Sequence, residues 1–429
     1  MIKGRMFWIF NHRYATCILL LIAILSRIFV AIKTPPLTGP DEFKHYITTV
    51  YLSKNFNMPA KSDPLYFDTQ SKQSQILPKN YAYGNSLWAH TPYRTISPLY
   101  FYSLLPFLNI SSYLSLTPFQ TDFVLRIPSI IFGMLFVITS YFLGKIIFKS
   151  GYLANIMLFF SSMLPIHIFF SATANSDIPL SFFGIMSVVL MTYGIQQKAI
   201  LYAILAGIFL GTGFLFKQSM MLLIIPIAFT LLLASRKQRV YILIPIVLSI
   251  FISSIWLFRN YIAFGNPLMV EDTGIYSSAG TILTRIQAFF IVLYRHLSLL
   301  VVFPNQVKGI LRIPLKLSTG LALFMIIASL FVGFTQRPKK SEYGNNFLFN
   351  LIIVSLTTYI ILLILQRWTV LPDFIKSLDR TVRYATALYF IFPFLATKGV
   401  DYLMKKRPAY VIFPLLSILY LAGKTIFHF

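Results

Sequence analysis

Residues 14–46 read YATCILLLIAILSRIFVAIKTPPLTGPDEFKHY. Residues 14–32 are apolar almost throughout, and about 20 such residues cross a bilayer as a helix. Backbone groups in hydrocarbon have to be paired within the segment or in a closed barrel. Nothing in the chain alternates apolar and polar residues at a barrel's period of two, so this stretch is a transmembrane helix. No small-residue cleavage site follows it, so it is expected to stay as a span. A break with Pro-Pro and then Gly-Pro leads into two adjacent acids, Asp41 and Glu42, with His45 one turn further on. Those acids stand out, because the chain has 12 Asp+Glu against 37 Lys+Arg in 429 residues.

The rest of the chain has the same character. Hydrophobic residues make up 57% and charged residues 11%, against roughly 25% charged in soluble domains. Runs such as FLFNLIIVSLTTYIILLIL (347–365) are again of spanning length. The expected fold class is an all-α polytopic membrane protein. The net charge of +25 is no nucleic-acid signature, because the basic residues punctuate apolar spans, as the positive-inside rule requires. Cys17, the one cysteine, excludes an internal disulfide and a cysteine metal site.

Charge sets the topology. The basic N-terminus lies inside and the span 14–32 leads out. Residues 33–123 form a first outer segment with two interfacial helices. One is DEFKHYITTVYLSKNF, with Phe43, Ile47, Val50 and Lys54 on one side; the other is SPLYFYSLLPFLNISSYL. Spans follow near 124–147, 152–171, 178–196, 200–215, 218–234 and 240–258. A second outer segment covers 259–315, and spans near 317–334, 346–365, 384–397 and 409–424 complete about eleven. The run 286–303 is apolar enough to cross, but crossing would put QRPKK (336–340) outside. In this topology ten of the twelve acids lie outside, and only Glu342 and Asp401 inside. Chemistry that needs a carboxylate therefore belongs to the outer face.

The ordered motifs resemble the GT-C superfamily of membrane glycosyltransferases, nearest to its protein-mannosyltransferase-like and aminoarabinose-transferase-like branches. TGPDEFKHY resembles the Asp-Glu motif after the first span, and SPLYFYSLL the second juxtamembrane helix. VLRIPSIIFGMLFVITSYFLGKIIF resembles the Arg-x-Pro-Ser span, and SATANSDIPL a short outer loop with an Asp. GFLFKQSMMLLIIP, FRNYIAFGNPL and TVRYATALYFIFP resemble a Lys-bearing turn, an Arg-Asn-Tyr loop and a late Arg-Tyr span. The chain departs from the pattern at Ser97, where the family often has His or Lys. It ends soon after the last span, so a large soluble C-terminal domain is not expected.

The resemblance implies one GT-C-like domain over 1–429 in a prokaryotic plasma membrane. It implies sugar transfer, with inversion, from a polyprenyl-phosphate donor to a lipid, glycan or protein hydroxyl on the extracytoplasmic side. Such a reaction needs one general base on the acceptor hydroxyl and cations around the departing phosphate. Asp41 is the expected base, and Glu42 orients the acceptor or holds Asp41. His45 can share their helix face, and Asp177 contacts sugar or supports Asp41. Lys217, Arg259, Arg27 and Arg383 with Tyr384 are the phosphate candidates, with Arg94 standing in for the missing charge near Ser97.

Ordinary explanations compete with each of these assignments. First-turn acids cap helices, and long basic side chains snorkel to headgroups. No cofactor is required outright. A divalent metal on Asp41, Glu42 and His45 stays open, although Asp-Glu-x-x-His is no metal signature by itself. The alternatives to an enzyme of this kind are a lipid or sugar transporter, which places ionisable groups near the midplane, and a lipid-linked glycan ligase or polymerase.

Overall fold

The computed structural model describes residues 14–39, 41–55, 97–265, 330–335, 343–365, 386–406 and 408–427, together with residues 10, 58, 267 and 328. All regular secondary structure among them is helical. The helices are α1 (Ala15–Lys33), α2 (Glu42–Asn55), α3 (Leu99–Tyr113), α4 (Pro118–Phe148), α5 (Gly151–Ser162), α6 (Pro165–Ser171) and α7 (Ile178–Gln197). They continue with α8 (Ile200–Phe216), α9 (Met221–Leu233), α10 (Arg236–Phe264), α11 (Tyr343–Leu365), α12 (Ile391–Lys406) and α13 (Ile412–Phe427). The chain is an integral membrane protein. Among the described residues, four helices, α1, α4, α7 and α10, are each long and apolar enough to cross a bilayer, and α5 with α6 makes a fifth crossing if the bent pair is one span.

Local signals set the helix ends. Thr117 and Gln120 form a reciprocal capping box at the start of α4, with the Thr117 N–H donating to Gln120 Oε1 at 2.9 Å. This satisfies donors that a helix start leaves unpaired. Lys149 and Lys198 end α4 and α7 in the left-handed conformation, and Gly265 ends α10 at φ 74°, a value glycine tolerates without strain.

Two expectations need correction. The stretch 152–171 is not one straight span: α5 and α6 meet at a 61° bend. Pro165 is the cause, because it has no N–H and its ring clashes with the carbonyl four residues back. Asp41 does not open α2 as a helical residue; α2 begins at Glu42, and Asp41 stands before it at φ 59°.

Helices α4, α5 and α7 form the centre, with α7 buried at nearly every position from Ile178 to Ile195. Helix α8 packs against α10 through Gly207 and Gly211. A Cβ on Gly207 would stand 2.9 Å from Pro245 Cα, and one on Gly211 2.6 Å from Ile252 Cβ. Membrane helices have no hydrophobic drive to associate with one another, so small residues that let backbones approach carry much of such an interface.

Charge is segregated along the bundle. Of the five described carboxylates, Asp41, Glu42, Asp122 and Asp177 lie at one end, and Asp401 lies near the other with Lys405, 2.7 Å away. Lys145, Lys149, Lys198, Arg236, Lys237 and Arg239 mark that second end, at the ends or starts of α4, α7 and α10. This is the separation expected from the alternating spans. Helices α2 and α3 pack on each other at the acidic end, and the end of α1, the start of α4 and the start of α7 converge there.

Candidate active site

The site is assembled around two loops. Residues 34–41 follow α1, and residues 172–177 join α6 to α7. The first loop carries two non-glycine residues in the left-handed conformation, Leu37 and Asp41, both at φ 59°. Each costs of order 1 kcal/mol or more unless its surroundings enforce it, least for Asp.

Arg126, from α4, supplies that enforcement. Its guanidinium is buried, and its Nη1 donates to the carbonyls of Ala31 at 2.6 Å and Thr34 at 2.8 Å. Its Nη2 donates to the Pro35 carbonyl at 2.9 Å and also meets Asp122 Oδ2 at 2.7 Å. Asp122 Oδ1 in turn accepts from the Leu37 N–H at 3.4 Å. The end of α1 at Ala31 and the first loop at Thr34, Pro35 and Leu37 are thus fastened to one turn of α4.

Glu42 joins the two loops. Its Oε1 accepts from Arg126 Nε at 2.8 Å and from the Ala174 N–H at 2.8 Å. Its Oε2 accepts from Arg126 Nη2 at 2.9 Å and from the Gly39 N–H at 3.0 Å. The carboxylate is 1% exposed. The carboxylate thus ties the first loop, at Gly39, to the second, at Ala174. Gly39 is required by close approach, since a Cβ there would stand 2.7 Å from Thr173 Cβ.

The second loop is buried, and four consecutive backbone N–H groups find side-chain acceptors. Ala174 donates to Glu42 at 2.8 Å and Asn175 to Ser129 Oγ at 3.1 Å. Ser176 donates to His45 Nε2 at 3.4 Å and Asp177 to Asn175 Oδ1 at 2.7 Å. An irregular buried backbone survives only when such groups are satisfied. Asp177 makes no capping bond on α7; it pairs with Lys217 Nζ at 2.7 Å. Tyr100 braces the same loop through Ser129, with oxygens 3.2 Å apart, and His45 lies edge-on to the Tyr100 ring at 5.1 Å. Burial pushes the Tyr100 phenol well above its usual range, and burial aided by Asp122 raises that of Tyr46. Both hydroxyls stay protonated at neutral pH.

The structure therefore brings Asp41, Glu42, His45, Asp177 and Lys217 to one place. Among the four carboxylates of this end, Glu42, Asp122 and Asp177 are buried in ion pairs, whereas Asp41 is partly exposed. Arg259 lies further along the same end. It stacks over Trp256 at 4.7 Å and donates to the Met58 carbonyl at 3.1 Å. Arg27 is not part of the cluster: it is buried among α1, α5 and α6. Arg94, Arg383 and Tyr384 lie outside the described residues. Among the described residues, no three of His, Cys, Asp and Glu are grouped so as to hold a metal ion.

Sequence reasoning missed Arg126 as a site residue, along with Asp122, Asn175 and Ser129. The signal for Arg126 was an arginine inside an apolar helix, which demands partners.

Residues 103–257 match the sequence profile of the dolichyl-phosphate-mannose-protein mannosyltransferase family. No curated protein sequence matches the chain. Two solved structures of the Archaeoglobus fulgidus oligosaccharyltransferase share the fold. The one tethered to an acceptor peptide has a TM-score of 0.54 at 14% identity over 98% of this chain and 56% of that one. The one in complex with Zn and sulfate has 0.53 at 15% identity, over 95% and 53%. The chain thus spans little more than half the length of that enzyme. ArnT from Cupriavidus metallidurans, bound to undecaprenyl phosphate, has a TM-score of 0.43 at 12% identity, over 92% of this chain and 79% of that one. The resemblance read from the ordered motifs agrees with the family match over 103–257, and the chain shares its fold with the oligosaccharyltransferase.

Proposed function

We propose that the chain moves a sugar from a polyprenyl-phosphate donor to a hydroxyl acceptor at the extracytoplasmic membrane surface, with Asp41 as the general base. The observation that carries this reading is the contrast within one pair of acids. Glu42 is buried and saturated by four donors, while its neighbour Asp41 is partly exposed on a loop held in a left-handed turn. A base has to reach the acceptor hydroxyl and still be held in a fixed position, and this arrangement meets both needs.

The family matched by residues 103–257 is described as using a dolichyl-phosphate sugar and a protein acceptor, which supports a lipid-phosphate donor. A sugar on a lipid phosphate already carries a good leaving group, so no second acid is needed to protonate it, unlike in glycoside hydrolysis. Asp41 takes the proton from the acceptor hydroxyl as its oxygen bonds the anomeric carbon. The bond to phosphate breaks on the opposite face, so the centre inverts. Lys217, already beside Asp177, lies at this end of the bundle to offset the charge on the departing phosphate. Arg259, Arg94 and Arg383 with Tyr384 are the further phosphate candidates.

Membranes containing the chain, incubated with a radiolabelled polyprenyl-phosphate sugar, should release label from the lipid into a product of opposite anomeric configuration. Label that stays on the lipid with every sugar donor and acceptor class supplied would overturn the proposal, as would a product of retained configuration.

A further inference from the structure

A second polar cluster lies among the apolar helices and takes no part in the chemistry proposed above. Arg27, on α1, is 0% exposed. Its Nη1 donates to the Ala23 carbonyl at 2.8 Å and to the Ser162 carbonyl at 3.4 Å, and its Nη2 meets His167 Nδ1 at 3.0 Å. Among the described residues it has no carboxylate partner, and its Nε has no hydrogen-bond partner. A buried cation without a counter-charge is costly, so its place in the fold calls for an explanation.

The break between α5 and α6 supplies one. Ser162 is the last residue of α5, and Pro165, with no N–H, follows the bend. The last carbonyls of α5 therefore lose helical donors where water cannot replace them. Arg27 donates to one of them and places positive charge at the negative end of the α5 dipole.

The cluster also has a direction. Because Arg27 can only donate, His167 Nδ1 accepts, and Nε2–H is left to donate to Ser181 Oγ at 3.1 Å. Ser181 donates onward to the Ile178 carbonyl at 2.7 Å. That carbonyl belongs to the residue after Asp177. The relay thus starts on α1, crosses α6, and ends in the first turn of α7, beneath residues 172–177. Gly133, on α4, leaves the space in which it sits: a Cβ there would stand 2.7 Å from Ser171 Cβ and 3.4 Å from Arg27 Nε. The 172–177 loop is thereby held directly by Glu42 and His45, and the helices on either side of it, α6 and α7, are joined by His167 and Ser181.

We infer that Arg27 and His167 are positioning residues. Together they fill the broken backbone between α5 and α6 and set where the 172–177 loop, with Asp177, stands relative to Asp41. They touch neither sugar nor phosphate. The kinetic consequence rests on the transfer reading given above; the structural consequence does not.

The test uses the full chain with Cys17→Ser and Ala174→Cys, probed with a thiol reagent and assayed for transfer. Ala174 is buried in the intact site, so labelling should be slow. In Arg27→Met, and in His167→Phe, which keeps a ring against Phe136, labelling should rise about tenfold or more. In the same variants kcat should fall by up to about 10²-fold, with the donor KM unchanged within about twofold, as for an interaction that orients rather than binds. Arg27→Lys, which keeps the charge and one donor direction, should recover part of both effects. If Arg27→Met does not fold, His167→Phe decides alone. Unchanged labelling in folded variants would overturn the inference, and so would a raised donor KM at constant kcat, which makes Arg27 a substrate ligand. If the parent chain transfers no sugar, the labelling comparison still decides the inference, while the transfer proposal falls separately.

Discussion

Glu42→Gln is the sharpest perturbation of the site, because it keeps shape and removes one acceptor. Glu42 Oε1 faces Arg126 Nε and the Ala174 N–H at 2.8 Å each, and Oε2 faces Arg126 Nη2 at 2.9 Å and the Gly39 N–H at 3.0 Å. Whichever way the amide is turned, its NH₂ opposes two N–H donors. One charged and one neutral hydrogen bond are lost, worth about 1.5–3 and 0.5–1.5 kcal/mol, and buried donors are left unmet. Arg126 keeps Asp122 and three carbonyls, so its charge is not orphaned and the loss stays below the roughly 3–5 kcal/mol of a broken buried pair. About 3 kcal/mol is expected, enough to raise the population in which the two loops part by roughly 10²-fold. Transfer from a labelled polyprenyl-phosphate sugar should then fall by about 10²-fold in kcat, and the thermal midpoint in detergent should drop. Glu42→Asp, too short to serve both Arg126 and Ala174, should behave similarly. Wild-type rates and an unshifted midpoint in Glu42→Gln would refute the idea that this carboxylate joins the two loops.

Further outcomes follow from the same geometry. Gly39→Ala drives a Cβ to 2.7 Å from Thr173 Cβ; activity should drop, and adding Thr173→Gly should restore part of it, as a double-mutant cycle in the transfer assay would show. Asp177→Asn leaves Lys217 without its 2.7 Å carboxylate; the single variant should lose more activity than Asp177→Asn with Lys217→Met loses beyond Lys217→Met alone, a coupling of about 0.5–3 kcal/mol. Gly211→Leu should separate α8 from α10 by collision with Ile252, lowering the yield of monodisperse protein while Gly211→Ala lowers it less. A cysteine at Lys340 should be labelled only after the membrane is permeabilised, and ready labelling from outside would move the run 286–303 into the membrane.

The helices are largely legible in the amino-acid sequence, because spanning length and the absence of charge are local properties. The polarity of the bundle is legible for the same reason: Lys145, Lys149, Arg236, Lys237 and Arg239 cluster at the ends of apolar runs. Asp41 and Glu42 draw attention by rarity alone. The anchoring of Glu42 is not legible, since it depends on Arg126, 84 positions away, and on the Ala174 N–H, 132 positions away. Asp122 lies four residues before Arg126, so helical spacing alone pairs them, whereas its bond from the Leu37 N–H, 85 positions away, is set by the fold. Pro165 lies inside an apolar run, where a membrane helix can carry a proline without bending sharply, so the bend of α5 into α6 has no clear local signal. The role of His167 depends on that bend and on Arg27 from another helix. Arg27 itself sits near the end of a span, a place that fits a headgroup ligand as well as a buried donor.

The most direct test of the account is the rate of sugar transfer by Asp41→Asn in purified, folded protein. The substitution removes a proton acceptor and leaves the buried Glu42–Arg126 framework intact. Loss of a general base lowers the rate by about 10²–10⁴-fold, and that loss, with the thermal midpoint and donor binding unchanged, is the expected result. A rate equal to that of the parent chain would contradict the assignment of Asp41 and the mechanism built on it.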